Sequence, residues 1–244
     1  MKKSLCILPL GATEYHGPHL CIETDWLIAQ AFAAALVQMY QGSLRLHCLP
    51  VEKIGYSVEH LDHPSTQSLS YAQALERWID IGVACYKKGH RRLLLLNAHG
   101  GNSPLMTIAA TQLRSQYPFL TVATSWTRFG LPEGLISADE KSFDIHGGFL
   151  ETSLMLYLEP TKVQMERAEN FTNHQKDIGQ TFRYLRAYGS HAFGWKMRDL
   201  NPKGAAGNAS AASAKAGKAI FDHALSGLLG LLNDIENFDL AHLK

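Results

Sequence analysis

The feature that most constrains this 244-residue chain is a set of short apolar runs, continuous rather than alternating in Ser4–Leu10 and 93–96. They lie at Ser4–Leu10, 44–51, 92–96 and 120–126. A strand with one wet face alternates apolar and polar residues, whereas a strand covered on both faces is apolar throughout. Helical patterns fill the intervals. Residues 25–40 are rich in Ala and Leu, with Thr24 or Asp25 as candidate N-cap. In 71–88, Ala72, Leu75, Ile79, Val83 and Tyr86 recur at three- and four-residue steps. Further helices are expected at Ser103–Gln116, 151–158 and 210–233. Buried strands alternating with helices predict an α/β fold, a layered sandwich whose mostly parallel sheet is covered by helices on both faces. No repeat, linker or shift in composition divides the chain, so residues 1–244 are expected to form a single α/β domain.

Composition removes several function classes. An apolar share of 46% excludes a disordered chain. A net charge of +1 gives no electrostatic case for a nucleic-acid or membrane-surface partner. The cysteines at 6, 21, 48 and 85 form no CxxC pair, which argues against a zinc ribbon or a thioredoxin-like site and for a reducing compartment. The apolar run behind Lys2-Lys3 is too short to span a membrane, and no small-residue cleavage site follows it. A cytoplasmic protein is expected.

In parallel sheets, functional loops lie beyond the carboxyl ends of the strands. Three loops here carry chemistry. The first, Gly11-Ala-Thr-Glu14-Tyr-His16-Gly-Pro-His19-Leu-Cys-Ile-Glu-Thr-Asp25, follows the first strand. Glu14 and His16 share one side of an extended segment, and Asp25 opens a helix. Taken singly, Asp25 fits a helix cap and His16 a hydrogen-bonded loop residue. The second, Asn97-Ala-His99-Gly-Gly-Asn102, places an imidazole and exposed backbone N–H groups at the sheet edge. A plain glycine turn capped by Asn102 is the alternative. The absence of GxGxxG and GxxxxGK[ST] argues against a nucleotide site. The third, Asp144-Ile-His146-Gly-Gly-Phe-Leu-Glu151-Thr-Ser, sets Glu151 near a helix start, where an acid also suits the helix dipole. Together Glu14, His16, Asp25, His99 and Glu151 form the ligand set of a hydrolytic zinc or manganese site. Five ligands exceed the three that one catalytic zinc uses, so two metals sharing a carboxylate fit the count better.

These loops resemble the creatininase family. The first is similar to its G-S-x-E-Q-H-G-P-H-L-P-L-x-T-D signature, the second to its N-x-H-G-G-N and the third to its H-A-G-x-x-E-T-S. Gly55-Tyr-Ser-Val-Glu-His60 resembles its G-x-S-x-x-H segment, and Gly204-Ala-Ala-Gly207-Asn208 its C-terminal G-x-x-G-D/N stretch. The resemblance covers essentially the whole chain. It implies a creatininase-like layered α/β fold, often a homo-hexamer, with a two-metal amidohydrolase site acting on a small molecule. Glu14 and His99 would hold one metal, His16 the other, and Asp25 would bridge. Zinc is the first candidate, manganese or iron the alternatives. His146 would sit beside the substrate, either moving a proton to the leaving nitrogen or stabilising an oxyanion, with orientation of Glu151 as its plainer role.

Departures from the family pattern bear on the substrate. Creatininases proper carry His-Tyr-Glu in the second loop, and that glutamate is a ligand; here the sequence is His99-Gly100-Gly101, and Glu151 is the expected replacement. Tyr15 stands for the usual Gln, Cys21-Ile22 for Pro-Leu, Ser65 for Gly and Gly147 for Ala. His60 and His63 are expected to line the pocket or a subunit contact. Trp126, with Phe193 and Trp195, is an aromatic wall for a flat substrate or else core packing. His19 is expected to make a structural hydrogen bond. Two other functions fit the same residues: family chemistry on a non-amide carbonyl such as a sugar-like ketone, and a non-catalytic metal-binding subunit.

Overall fold

The computed structural model describes residues 3–243. Its central sheet runs β2-β1-β3-β4, all parallel, from β1 (Ser4–Leu10), β2 (Arg45–Cys48), β3 (Arg92–Asn97) and β4 (Leu120–Ser125). The helices are α1 (Thr24–Met39), α2 (Tyr71–Lys87), α3 (Ser103–Gln116), α4 (Ala138–Phe143), α5 (Phe149–Leu158), α6 (Gln175–Thr181), α7 (Met197–Leu200) and α8 (Ala214–Asn237). A two-stranded antiparallel pair, β5 (Asn170–Phe171) and β6 (Gly207–Asn208), stands apart from the sheet.

The unbroken apolar runs have a direct cause. Leu5 and Ile7 of β1 and Leu94 and Leu96 of β3 pack with α1, α5 and α8 on one face. Cys6, Leu8 and Leu10, with Leu93 and Leu95, pack with α2 and α3 on the other. Successive side chains point to opposite faces, and both faces are dry. Leu94→Ala is expected to cost about 2–5 kcal/mol, because the fully buried Leu94 side chain cannot be replaced by collapse of close-packed neighbours. A urea titration measures it.

Several boundaries differ from expectation. β2 ends at Cys48 rather than at 51: it is a half-exposed edge strand, and after Leu49 N–H meets the Ile7 carbonyl the next donor to β1 is Glu52, one residue out of step. Neither Thr24 nor Asp25 is the cap of α1. Glu23 holds that position without a side-chain bond, and the Thr24 hydroxyl donates to the Cys21 carbonyl. α8 starts at Ala214, where the Ser213 hydroxyl accepts from Ala216 N–H, and runs four residues past the expected 233. α4, α6, α7 and the β5–β6 pair were not foreseen, since none is long enough to show a period.

Register sets the position of the loops. Leu10 lies opposite Asn97, and Asn97 opposite Ser125, so the chain leaves β1, β3 and β4 at one level. α5 brings the third loop to the same edge from the α1 side.

Candidate metal centre

Each of the three loops is held by its own polar bonds. Glu14 N–H donates to the Ile22 carbonyl (3.1 Å), closing the first loop. A Cβ at Gly11 would meet the Trp26 backbone at 2.4 Å, so only glycine lets the loop pass the start of α1. In the second loop Asn97 folds back on its own chain, donating to the His99 carbonyl and accepting from His99 N–H. Asn102 holds the N-cap position of α3 without a side-chain cap bond; its amide spans the Gly11 carbonyl, Asn97 and Tyr56 N–H instead. In the third loop Gly147 takes φ +58° and donates its N–H to Glu151 Oε2 (2.6 Å), while Asp144 Oδ2 accepts from Leu150 N–H at the start of α5.

These bonds aim side chains from all three loops at one buried point. Glu14, His16, Asp25, His60 and His99 are all nearly inaccessible to solvent, and His146 little less so. Asp25 lies between two imidazoles: Oδ1 is 3.1 Å from His16 Nε2, and Oδ2 is 3.1 Å from His99 Nδ1. Glu14 Oε1 is 3.2 Å from His99 Nδ1, 3.5 Å from His60 Nε2, 3.6 Å from His146 Nδ1 and 3.9 Å from His16 Nε2. Glu151 Oε2 lies 3.8 Å from His16 Nε2. Among the described residues, three sets keep their ligand atoms within 4.8 Å of one another: Glu14–His16–Asp25, Glu14–His60–His146 and His16–His146–Glu151. His99 joins the cluster through Asp25 and Glu14.

The hydrogen bonds of the imidazoles say what this point is built for. His16 Nδ1 donates to the Glu14 carbonyl (3.0 Å), His99 Nε2 to the Tyr56 carbonyl (2.9 Å) and His146 Nε2 to the Tyr15 carbonyl (2.9 Å). With one N–H committed to a carbonyl, the other nitrogen of each neutral ring carries a lone pair, and that lone pair faces a carboxylate. Acceptors facing acceptors need a cation or extra protons between them. Both oxygens of Glu14 and Oδ2 of Asp25 are also buried without a hydrogen-bond partner. Histidine ligands held through the far ring nitrogen, around orphaned carboxylate oxygens, suit a divalent cation.

Without a cation the cluster neutralises itself with protons. Burial alone would lower His16, but Asp25, Glu151 and Glu14 outweigh it and carry it up to about 10. His99 rises well above its usual value, against burial, through Glu14 and Asp25. Burial opposes ionisation of Glu14, yet the facing histidines hold it well below the usual carboxylate range. Burial pushes Glu151 up to about 7, with the His16 charge opposing. Burial and the two charged imidazoles push His60 down to about 4, and burial, with His60 and His16, holds His146 well below its usual value.

The structure also relocates residues. His60, expected on a pocket wall or subunit contact, points into the cluster at Glu14 and packs on His146 with ring centroids 4.1 Å apart. Trp126 is buried in the core beside Phe32 and contributes to the wall of an adjoining cavity. Phe193 and Trp195 pack in a separate small cluster, where Trp195 lies edge-on to His60. His63 stacks on Tyr15. His19 donates to or accepts from the Thr152 hydroxyl (2.8 Å), the structural bond expected of it. Burial and the nearby His16 lower His19 to about 4. Its unfolded counterpart takes up a proton near pH 6.5, so the metal-free protein is expected to lose stability as pH falls from 6.5 to 4, by up to roughly 3 kcal/mol from this group. Denaturation of His19→Gln across that range should show a shallower slope.

Glu59 was missed in the sequence. Its Oε1 lies 3.6 Å from His99 Nε2, and a Cβ at Gly101 would come within 2.6 Å of it. The space beside His99 is therefore taken by a side chain from the turn Val58–His60, and position 101 admits only glycine. The signal was within reach, since Glu59 sits inside the Gly55–His60 segment.

A family profile described as creatinine amidohydrolase matches residues 1–232 of this chain. The chain belongs to the creatininase family. It is 26% identical over 225 residues to the mycofactocin precursor peptide peptidase of Mycolicibacterium smegmatis (strain ATCC 700084 / mc(2)155), covering 91% of this chain and 82% of that one. It is 32% identical over 181 residues to the creatinine amidohydrolase of Pseudomonas putida, covering 66% of each. A solved manganese creatininase superposes with a TM-score of 0.76 at 25% identity, over 95% of this chain and 91% of that one. A zinc–zinc form of a mutant creatininase gives 0.74 at 26%, over 95% and 90%. The creatininase fold, a mostly parallel sheet between helices, is thus shared along nearly the whole chain. Among the described residues no helix is long and apolar enough to cross a membrane.

Proposed function

We propose that this creatininase-family chain hydrolyses a carbon–nitrogen amide bond of a small molecule or peptide end with two divalent cations. The observation that carries the reading is the set of buried, unpartnered oxygens on Glu14 and Asp25, faced by imidazole nitrogens whose other ring atoms are committed to carbonyls. Glu14 and His99 would hold one cation, His16 and Glu151 the other, and Asp25 would serve both, since each of its oxygens faces a different histidine. Zinc is the preferred ion, in keeping with the mixed carboxylate and imidazole ligands, and manganese or iron are the alternatives. Two cations held there would supply hydroxide near neutral pH and a Lewis acid for a carbonyl.

The chain's own residues do the rest. His146 is held by Tyr15 at Nε2, which leaves Nδ1 as the atom that can hold or pass a proton to the leaving nitrogen. Burial, with His60 and His16 beside it, keeps the ring neutral, so Nδ1 presents a lone pair. His60 packs on His146 and fixes its ring plane. Glu59, Tyr56 and Ser57 together orient His99 through Nε2. Trp126 closes the cavity on the core side. The reading carries with it a cytoplasmic location and a homo-oligomer, hexameric by family resemblance.

Chain loaded with zinc or manganese and passed through gel filtration is expected to hold two ions. It should cleave some member of an amide panel that includes creatinine and short peptides. Chelation should abolish that cleavage and either ion restore it. Fewer than two ions together with no cleavage would overturn the reading.

A further inference from the structure

Beside the metal centre lies an open cavity of about 670 Å³, whose lining includes His99 and Glu151. That volume suits a ligand the size of a small drug or a short peptide end. Its walls sort by chemistry. Trp126, Ile145 and Leu150 are apolar, and Asn97 and Ser125 sit at the sheet edge. The outer part carries three cations, Arg128, Lys141 and Arg186.

The acids among the lining residues are Asp144 and Glu151, and both are engaged inward. Asp144 accepts from the first turn of α5, and Glu151 accepts from Gly147 N–H and faces His16. The cations are not matched in this way. Lys141 and Arg128 are exposed side chains, and Arg128 spends one nitrogen on the Ala123 carbonyl. Arg186 spends one nitrogen on the Phe182 and Leu185 carbonyls. Guanidinium groups have five N–H donors, so both arginines keep donors for a ligand.

The short helix α4 shows that this charge is segregated. Its residues Ala138, Lys141 and Ser142, three and four apart, face this cavity. Asp139, Glu140 and Phe143 face a separate cavity of about 480 Å³. Glu140 is further tied to Ser137 in a capping box. One helix thus turns its cation toward the metal centre's cavity and its acids away.

We infer that the rim of Arg128, Lys141 and Arg186 is an anion subsite, and that the substrate bears a carboxylate or phosphate group beyond its scissile amide. This rests on the hydrolase reading above, but the rim can be tested without it. The probes are N-acetylphenylalanine, its neutral carboxamide and its phosphonate analogue, titrated calorimetrically into chelator-treated chain, where no metal can capture the anion. The carboxylate or the phosphonate is expected to bind about tenfold or more tighter than the carboxamide, and the tighter of the two identifies the anion. The preference should shrink as salt approaches ~0.5 M, because exposed charges are screened. It should fall toward unity in the Arg128→Gln/Lys141→Gln double variant, whose exposed side chains leave the core untouched, and in Arg186→Gln as a separate check. Equal binding of charged and neutral probes, or a preference untouched in all variants, overturns the subsite. An anion preference in a chain that holds no metal and cleaves no amide overturns the hydrolase reading and leaves the subsite standing.

Discussion

Asp25→Asn is expected to strip both cations from the centre and to lower kcat/KM by at least about a hundredfold, the scale seen when a metal site loses a supporting contact. The expectation follows from geometry. Oδ1 faces His16 and Oδ2 faces His99 at 3.1 Å each, so one carboxylate serves both halves of the cluster. Asparagine keeps the shape but supplies one oxygen and no charge. Its amide N–H₂ would confront an imidazole nitrogen already prepared to meet a cation. The competing role, a helix cap, is removed by the structure: Glu23 holds the cap position of α1, and Asp25 lies inside its first turn. Elemental analysis after gel filtration decides the matter. Two ions retained in Asp25→Asn would refute the bridging assignment.

Glu151→Gln separates the two halves. One ion per chain and loss of nearly all hydrolysis are expected, with the fold intact. Glutamine Oε1 can still accept the Gly147 N–H bond that holds the third loop, so what is lost is charge. The sign of the stability change is also set. Burial raises the Glu151 carboxyl to about 7 in the metal-free protein, above its usual value. A raised carboxyl favours the folded state below its unfolded pKa, and this contribution is lost as pH rises through 7. Metal-free Glu151→Gln should therefore lack that decline, while at low pH the two proteins should match. A side chain that merely complements the helix dipole would instead leave both ions in place and cost about 0.3–1 kcal/mol. Metal stoichiometry paired with a pH series of urea titrations distinguishes the outcomes.

How legible this centre was in the sequence depended on distance along the chain. Glu14, His16 and Asp25 lie within one loop, and their convergence follows from an extended segment feeding a helix. His99 and Glu151 were legible because each sits where a strand end or a helix start meets the sheet edge. Glu59 lay inside a segment the sequence singled out, but its direction toward His99 depends on the close approach of that turn to Gly101, which only the fold shows. His60 was placed on a wall because a histidine in a turn carries no mark of direction; only the fold turns it to Glu14. The boundaries of β2 and α8 shifted for related reasons, an edge strand that slips out of step with β1 after Leu49 and a helix started by Ser213.

What the sequence determined by itself was the architecture and its chemical edge. Unbroken apolar strands need cover on both faces, that cover requires helical crossovers between parallel strands, and such crossovers put the polar loops at the strands' carboxyl ends. What only the tertiary structure decided was direction. The register of Leu10 against Asn97 brings two loops level, α5 packed on α8 brings the third, and the backbone carbonyls of Glu14, Tyr15 and Tyr56 choose which nitrogen of each imidazole is left free. Those contacts join residues up to 131 apart in the chain. Hydrophobic periodicity is a local signal, whereas the orientation of a buried polar side chain is set by whichever distant partner satisfies its hydrogen bond.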